Sequence, residues 1–132
     1  MKSSIKILSA FVVLFLSMLA CALLPGGPGN TVQQFFNALE SGQVQEAKSY
    51  MSSGTLQSLG NDKWDSVLVQ LSQEISNKGG IDKIDITEEN VTGDIASVTI
   101  QLTFGDGAQE TSVLDLIKEN SKWKLVLNAS SK

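Results

Sequence analysis

At Gly79-Gly80 the spacing of apolar residues changes from the 3.6-residue period of a helix to the two-residue period of a strand, and this junction constrains the fold more than any other feature. Upstream, Val32, Phe35, Phe36 and Leu39 recur at i, i+3, i+4 and i+7, one apolar stripe on a helix opened by Asn30 with Gln33 as a relaxed capping box. Ser41-Gly42 ends that stripe. Val44, Ala47, Tyr50 and Met51 mark a second, short amphipathic helix that stops before Ser52-Ser53-Gly54. A third opens at Asn61-Asp62, carries Trp64, Val67, Leu68, Leu71 and Ile75, and breaks at Asn77-Lys78-Gly79-Gly80.

Downstream, Ile84 and Ile86 alternate with Lys83 and Asp85, and Thr92-Gly93-Asp94 turns the chain. Ala96, Val98, Ile100, Leu102 and Phe104 then alternate with Ser97, Thr99, Gln101 and Thr103, the pattern of a strand in a half-covered antiparallel sheet. Gly105-Asp106-Gly107 supplies a hairpin turn, and residues Gln109 to Lys118 return with apolar groups on both faces. After Asn120-Ser121, Trp123, Leu125 and Leu127 finish the last strand. The sequence predicts an α+β domain: three N-terminal helices on one face of a curved, about four-stranded antiparallel sheet.

The first twenty residues belong to a different class. Lys2 and Lys6 precede an apolar run from Ile7 to Ala20, the charged start and short greasy centre of a secretory signal. That run falls short of the roughly 20 apolar residues that a spanning helix needs, and Pro25-Gly26-Gly27-Pro28-Gly29 follows it. The single Cys of the chain, Cys21, stands after Met18-Leu19-Ala20, a site that resembles a bacterial lipobox. Lipidation of Cys21 is what the likeness implies, with Met18 where such sites prefer Leu. The expected organisation is a signal peptide over residues 1–20, a lipidated Cys with a short tether over 21–29, and the α+β domain over 30–132, with the tether outside the folded core. The expected location is the exported side of a bacterial cell membrane, within the envelope.

Cleavage before Cys21 leaves eight Lys against 14 acids, a net charge of −6. All ten basic residues of the chain are Lys, and an acidic protein without Arg is a poor partner for nucleic acid. His is absent as well, so the usual zinc sites and the Ser-His and Cys-His nucleophile pairs are excluded. No metal or cofactor is implied. The acidic run Asp82, Asp85, Glu88, Glu89 and Asp94 lacks calcium-loop spacing and reads as a solvated face or as protection of an edge strand.

The helix around Val32 to Leu39 with Phe35-Phe36, the following Ser41-Gly42-Gln43-Val44 with Ala47, and the closing Leu114 to Leu127 hairpin with Lys122-Trp123-Lys124-Leu125 resemble the nuclear-transport-factor-two-like (cystatin-like) domains, in particular small bacterial lipoproteins of unknown function. The likeness spans residues 30 to 128 and implies a cone-shaped pocket between helices and sheet, in a group that includes isomerases, cyclases and non-catalytic modules. Candidate pocket residues are Phe35, Phe36, Tyr50, Trp64, Asp115 and Trp123; catalytic residues are not evident. Phe35, Phe36, Trp64 and Trp123 read first as core. Asp65 and Asp85 point to solvent, whereas Asp115 shares a face with Val113 and Ile117, where it either lies in an apolar surface or pairs with a Lys on an exposed one. No ionisable group besides Tyr50 and Asp115 is expected to line the pocket. Two functions stay open: a membrane-anchored module that binds a small apolar ligand or an envelope protein and dimerises through the open sheet face, or an enzyme with a carboxylate in the cone.

Overall fold

A computed structural model describes residues 26–128. Cys21 and the signal segment lie outside the described residues. Within them the order is α1 (Pro28–Glu40), α2 (Val44–Ser49), α3 (Ser53–Leu59), α4 (Asn61–Asn77), β1 (Ile81–Thr92), β2 (Ile95–Phe104), β3 (Gln109–Glu119) and β4 (Lys122–Val126). The period change at Gly79-Gly80 is the boundary between the helical and the stranded half.

The four strands form one antiparallel sheet in sequence order, β1-β2-β3-β4. Ala96, Val98, Ile100, Leu102 and Phe104 of β2 are all buried against the helices, joined by Leu116 of β3 and by Trp123 and Leu125 of β4. From the helical side Val32, Phe35 and Leu39 of α1 and Trp64, Leu68 and Ile75 of α4 complete the core. The helices thus cover one face of the sheet, and the other stays open.

There are four helices among the described residues where the sequence predicts three. Ser52-Ser53-Gly54 is both a break and a start: the Ser52 hydroxyl accepts the Thr55 N–H at 3.1 Å, which caps α3. The Trp64 indole N–H donates to the Thr55 carbonyl at 2.8 Å and locks α3 onto α4. The segment just before α3 also shields the edge strand. Ser52 N–H donates to the Leu125 carbonyl and Leu125 N–H to the Tyr50 carbonyl, each at 2.8 Å, so β4 has no bare edge there.

Helix α1 begins at Pro28, two residues before the expected cap at Asn30, with Gly27 as N-cap. Proline at the first helical position has no N–H to leave unpaired. The Asn30 side chain instead takes a hydrogen bond from Gln34. Pro28 and Gly29 are buried, so the end of the expected tether belongs to the folded domain. The Gly29 N–H donates to Glu89 Oε1 at 2.7 Å, and any side chain at 29 would strike that carboxylate and the Ile86 methyl. Glu89 reaches inward because β1 is irregular between Ile86 and Glu88, which shifts the alternation by one and turns Glu89 toward the helices.

Candidate functional site

Helices α1 and α4 splay over the inner face of β2 and β3 and leave a half-open cavity of about 270 Å³. Phe35, Phe36 and Leu39 supply its α1 wall, Leu71 and Ile75 its α4 wall, and Leu102, Phe104, Leu114 and Leu127 its sheet side. The Phe35 and Phe36 rings meet edge to face, with centroids 5.4 Å apart. The cavity is small for a ligand site, since such pockets commonly run from roughly 300 to 1,000 Å³.

The remaining lining groups are polar: Glu74, Lys78, Glu110 and Ser112. Their presence corrects the expectation that only Tyr50 and Asp115 could bring charge to the pocket. Glu110 arrives through strand phase. Leu116, Leu114, Ser112 and Glu110 alternate along the inner face of β3, and Glu110 stands opposite Leu102. Lys78 arrives through the end of α4, where the Gly79 and Gly80 N–H groups close the helix on the Ser76 and Ile75 carbonyls. Its ammonium lies 3.0 Å from Glu110 Oε1 and 4.6 Å from the centroid of the Phe104 ring. Both members of that ion pair are partly exposed, 36% and 54%.

The mouth is held by backbone as well. Asp106 N–H donates to the Lys78 carbonyl at 2.9 Å and Gly105 N–H to the Gly80 carbonyl at 3.0 Å. The β2–β3 turn therefore packs directly on the end of α4, with Gly79 and Gly105 back to back.

Of the six residues singled out from the sequence, Phe35 and Phe36 line this cavity. Tyr50 and Trp123 line a broader, polar depression of about 490 Å³ at the opposite end of α1, with Asn30, Thr31, Lys122 and Lys124. The Tyr50 hydroxyl donates to Glu46 at 3.3 Å, and its phenol is pushed above its ordinary value by burial and then by the Glu46 carboxylate. Trp64 is buried in the core against α3. Asp115 lies on the outer face of the sheet, opposite Ser97 and Val126, and makes no ion pair among the described residues. The structure does not bring these six together, because strand phase sends Asp115 outward while β4 carries Trp123 to the far end of the sheet.

Asp65 is held by Lys48 at 2.8 Å and Asp85 approaches Lys83 at 3.6 Å, both away from the cavity. Sequence reasoning missed Glu74, Lys78 and Glu110. The signal for Glu110 was present in the alternation counted back from Leu116. For Glu74 and Lys78 it was their i, i+4 spacing at the end of the apolar stripe on α4.

The family described as Domain of unknown function (DUF4878) matches residues 20–126. No curated protein matches the chain. Among solved structures, one from Campylobacter jejuni, provisionally described as an NTF2-like transpeptidase, superposes with a TM-score of 0.66 at 23% identity. That match covers 77% of this chain and 99% of the other. A de novo designed protein of the NTF2 fold superposes with a TM-score of 0.51 at 18% identity, over 70% of this chain and 75% of the design. At such identities the likeness carries the fold, and the helices over an open curved sheet are those of an NTF2-like domain.

Proposed function

The chain belongs to the DUF4878 family, and from that premise and the cavity we propose that it is a non-catalytic binding module for a small, largely apolar ligand, tethered to the exported side of a bacterial membrane. The observation that carries this reading is the composition of the cavity: nine apolar side chains enclose it, and the charged groups stand only at its mouth. Burying apolar ligand surface against such walls contributes roughly 25 cal/mol per Å² before the costs of association.

Catalysis by a carboxylate in the cone fits less well. A carboxylate becomes a useful base near neutral pH when burial or a like charge lifts it. Glu110 is more than half exposed and already engaged by Lys78 at 3.0 Å, so it is not a desolvated carboxylate inside the apolar part of the cavity. The transpeptidase description belongs to the Campylobacter protein and at 23% identity lends this chain no chemistry.

For the tether, the support is the sequence around Cys21. Two acyl chains, each methylene contributing about 0.8 kcal/mol on burial, would hold an acidic domain at a membrane whose headgroups repel it. We expect Cys21→Ala to move the protein from the membrane to the soluble fraction, and retention at the membrane would end the lipid reading.

The binding reading is tested by thermal unfolding of the full chain with 3-phenylpropanol, a neutral probe of the right size. A ligand at 100 times its dissociation constant stabilises by about 2.7 kcal/mol. Leu114→Trp fills the cavity and should abolish the shift. If no shift occurs, or Leu114→Trp leaves it unchanged, the cavity is not the binding site.

A further inference from the structure

The charges at the cavity mouth name a class of ligand, an inference that rests on the cavity being the binding site. We propose that the occupant is an organic cation: an apolar body the size of one ring or a short alkyl chain, ending in an ammonium group held at the mouth between Glu74 and Glu110.

The interior has only apolar walls and the Ser112 hydroxyl, so a charged end must stay at the opening, where Glu74, Lys78 and Glu110 stand. The mouth already holds one ammonium in the way it would hold another. Lys78 Nζ is gripped between a carboxylate at 3.0 Å and the face of Phe104 at 4.6 Å, the two features by which proteins bind organic cations.

Charge counting decides the sign. Glu110 neutralises Lys78, whereas Glu74, one helical turn before Lys78, makes no ion pair among the described residues. The mouth therefore carries one negative charge in excess. A ligand carboxylate would have to draw Lys78 away from Glu110 and sit beside two carboxylates. A ligand ammonium meets two carboxylates that share one lysine. The wider field has the same sign, because the chain after Cys21 carries −6, although salt screens charges beyond about 8 Å.

A matched series separates this proposal from its premise: 3-phenylpropylammonium, 3-phenylpropanol and 3-phenylpropionate share one body and carry positive, neutral and negative ends. On the full chain, with a lipid-only titration subtracted, the ammonium should bind about two- to fivefold tighter than the alcohol, the range set by exposed ion pairs. The carboxylate should bind weakest. Glu74→Gln, at an exposed helix position, should erase most of the ammonium's advantage over the alcohol. Equal affinities for ammonium and alcohol, or a tightest-binding carboxylate, would overturn the cation proposal while leaving the cavity as a site. Failure of all three to bind would overturn both.

Discussion

Glu119 shows how one side chain ties the two halves of the domain together. Its carboxylate accepts the Ser53 hydroxyl and, at 3.0 Å, the Ser53 N–H, so the end of β3 caps the first turn of α3 across 66 residues of sequence. The hydroxyl bond first and the N–H bond second hold the Glu119 carboxyl below its ordinary range, with Lys124 adding a smaller pull in the same direction. A carboxyl held low in the folded state contributes stability above its unfolded value, near 4.3, and that contribution is lost as pH falls through the folded value. Glu119→Gln should therefore cost about 0.5–2 kcal/mol at neutral pH, the magnitude of a lost helix cap, with partial exposure favouring the lower end. In acid the wild type and the variant should converge. Unfolding midpoints recorded across pH check this, and a difference that persists below pH 3 would show that the carboxylate charge is not the cause. None of this was legible in the sequence, because a contact between Ser53 and Glu119 exists only once β3 and α3 have been brought together.

Among the elements, those with an unbroken period were legible and those set by a local exception were not. β2 is the clearest case: five alternating apolar residues, all buried in the structure on the face that the alternation assigns. Helix α4 likewise follows its stripe from Trp64 to Ile75. Helix α3 was missed because Gly54 and two serines read as a break, although Ser52 makes the same stretch a helix start. The inward turn of Glu89 was missed because one irregularity in β1 reverses the phase of all that follows it. The cavity followed the same division: Phe35 and Phe36 sit on a regular stripe, whereas Lys78 depends on how α4 ends. That ending is a junction of two elements, and its close approach yields a prediction. A Cβ at Gly105 would run into the Gly79 carbonyl, where backbone faces backbone and neither side has a rotamer to yield. Gly105→Ala should cost about 1–3 kcal/mol by overpacking, and by moving the turn away from α4 it should also weaken 3-phenylpropanol binding. Wild-type stability and affinity in this variant would show that the junction has room to spare.

At the scale of the whole molecule, the two ends of α1 carry different features. The chain enters at Gly26, beside the depression lined by Tyr50 and Trp123, while the cavity mouth lies past the other end of α1, about 20 Å away along thirteen helical residues. From Cys21 to Gly26 the chain can span at most about 18 Å. A domain held at Cys21 would thus keep its entry end near the membrane and turn its cavity toward the aqueous side. The open face of the sheet stands to the side, where Ile95 and Val113 are each 63% exposed and Ile117 38%. Ile95 pairs with Ile117 in register and Thr99 with Val113, so these residues lie on one surface together with Asp115. We expect this surface to meet a second copy of itself. If Cys21 tethers both copies, their entry ends would face the same bilayer, and the two-fold axis would run along the membrane normal. Val113→Lys would bury an ammonium group of each copy in an otherwise largely apolar contact. Light scattering of the full chain should then fall from twice the protomer mass to the protomer mass, while Val113→Ile should keep the dimer. A protomer mass for the unaltered chain at high concentration, or a dimer that survives Val113→Lys, would take the open face out of the assembly and leave its apolar stripe to a different partner.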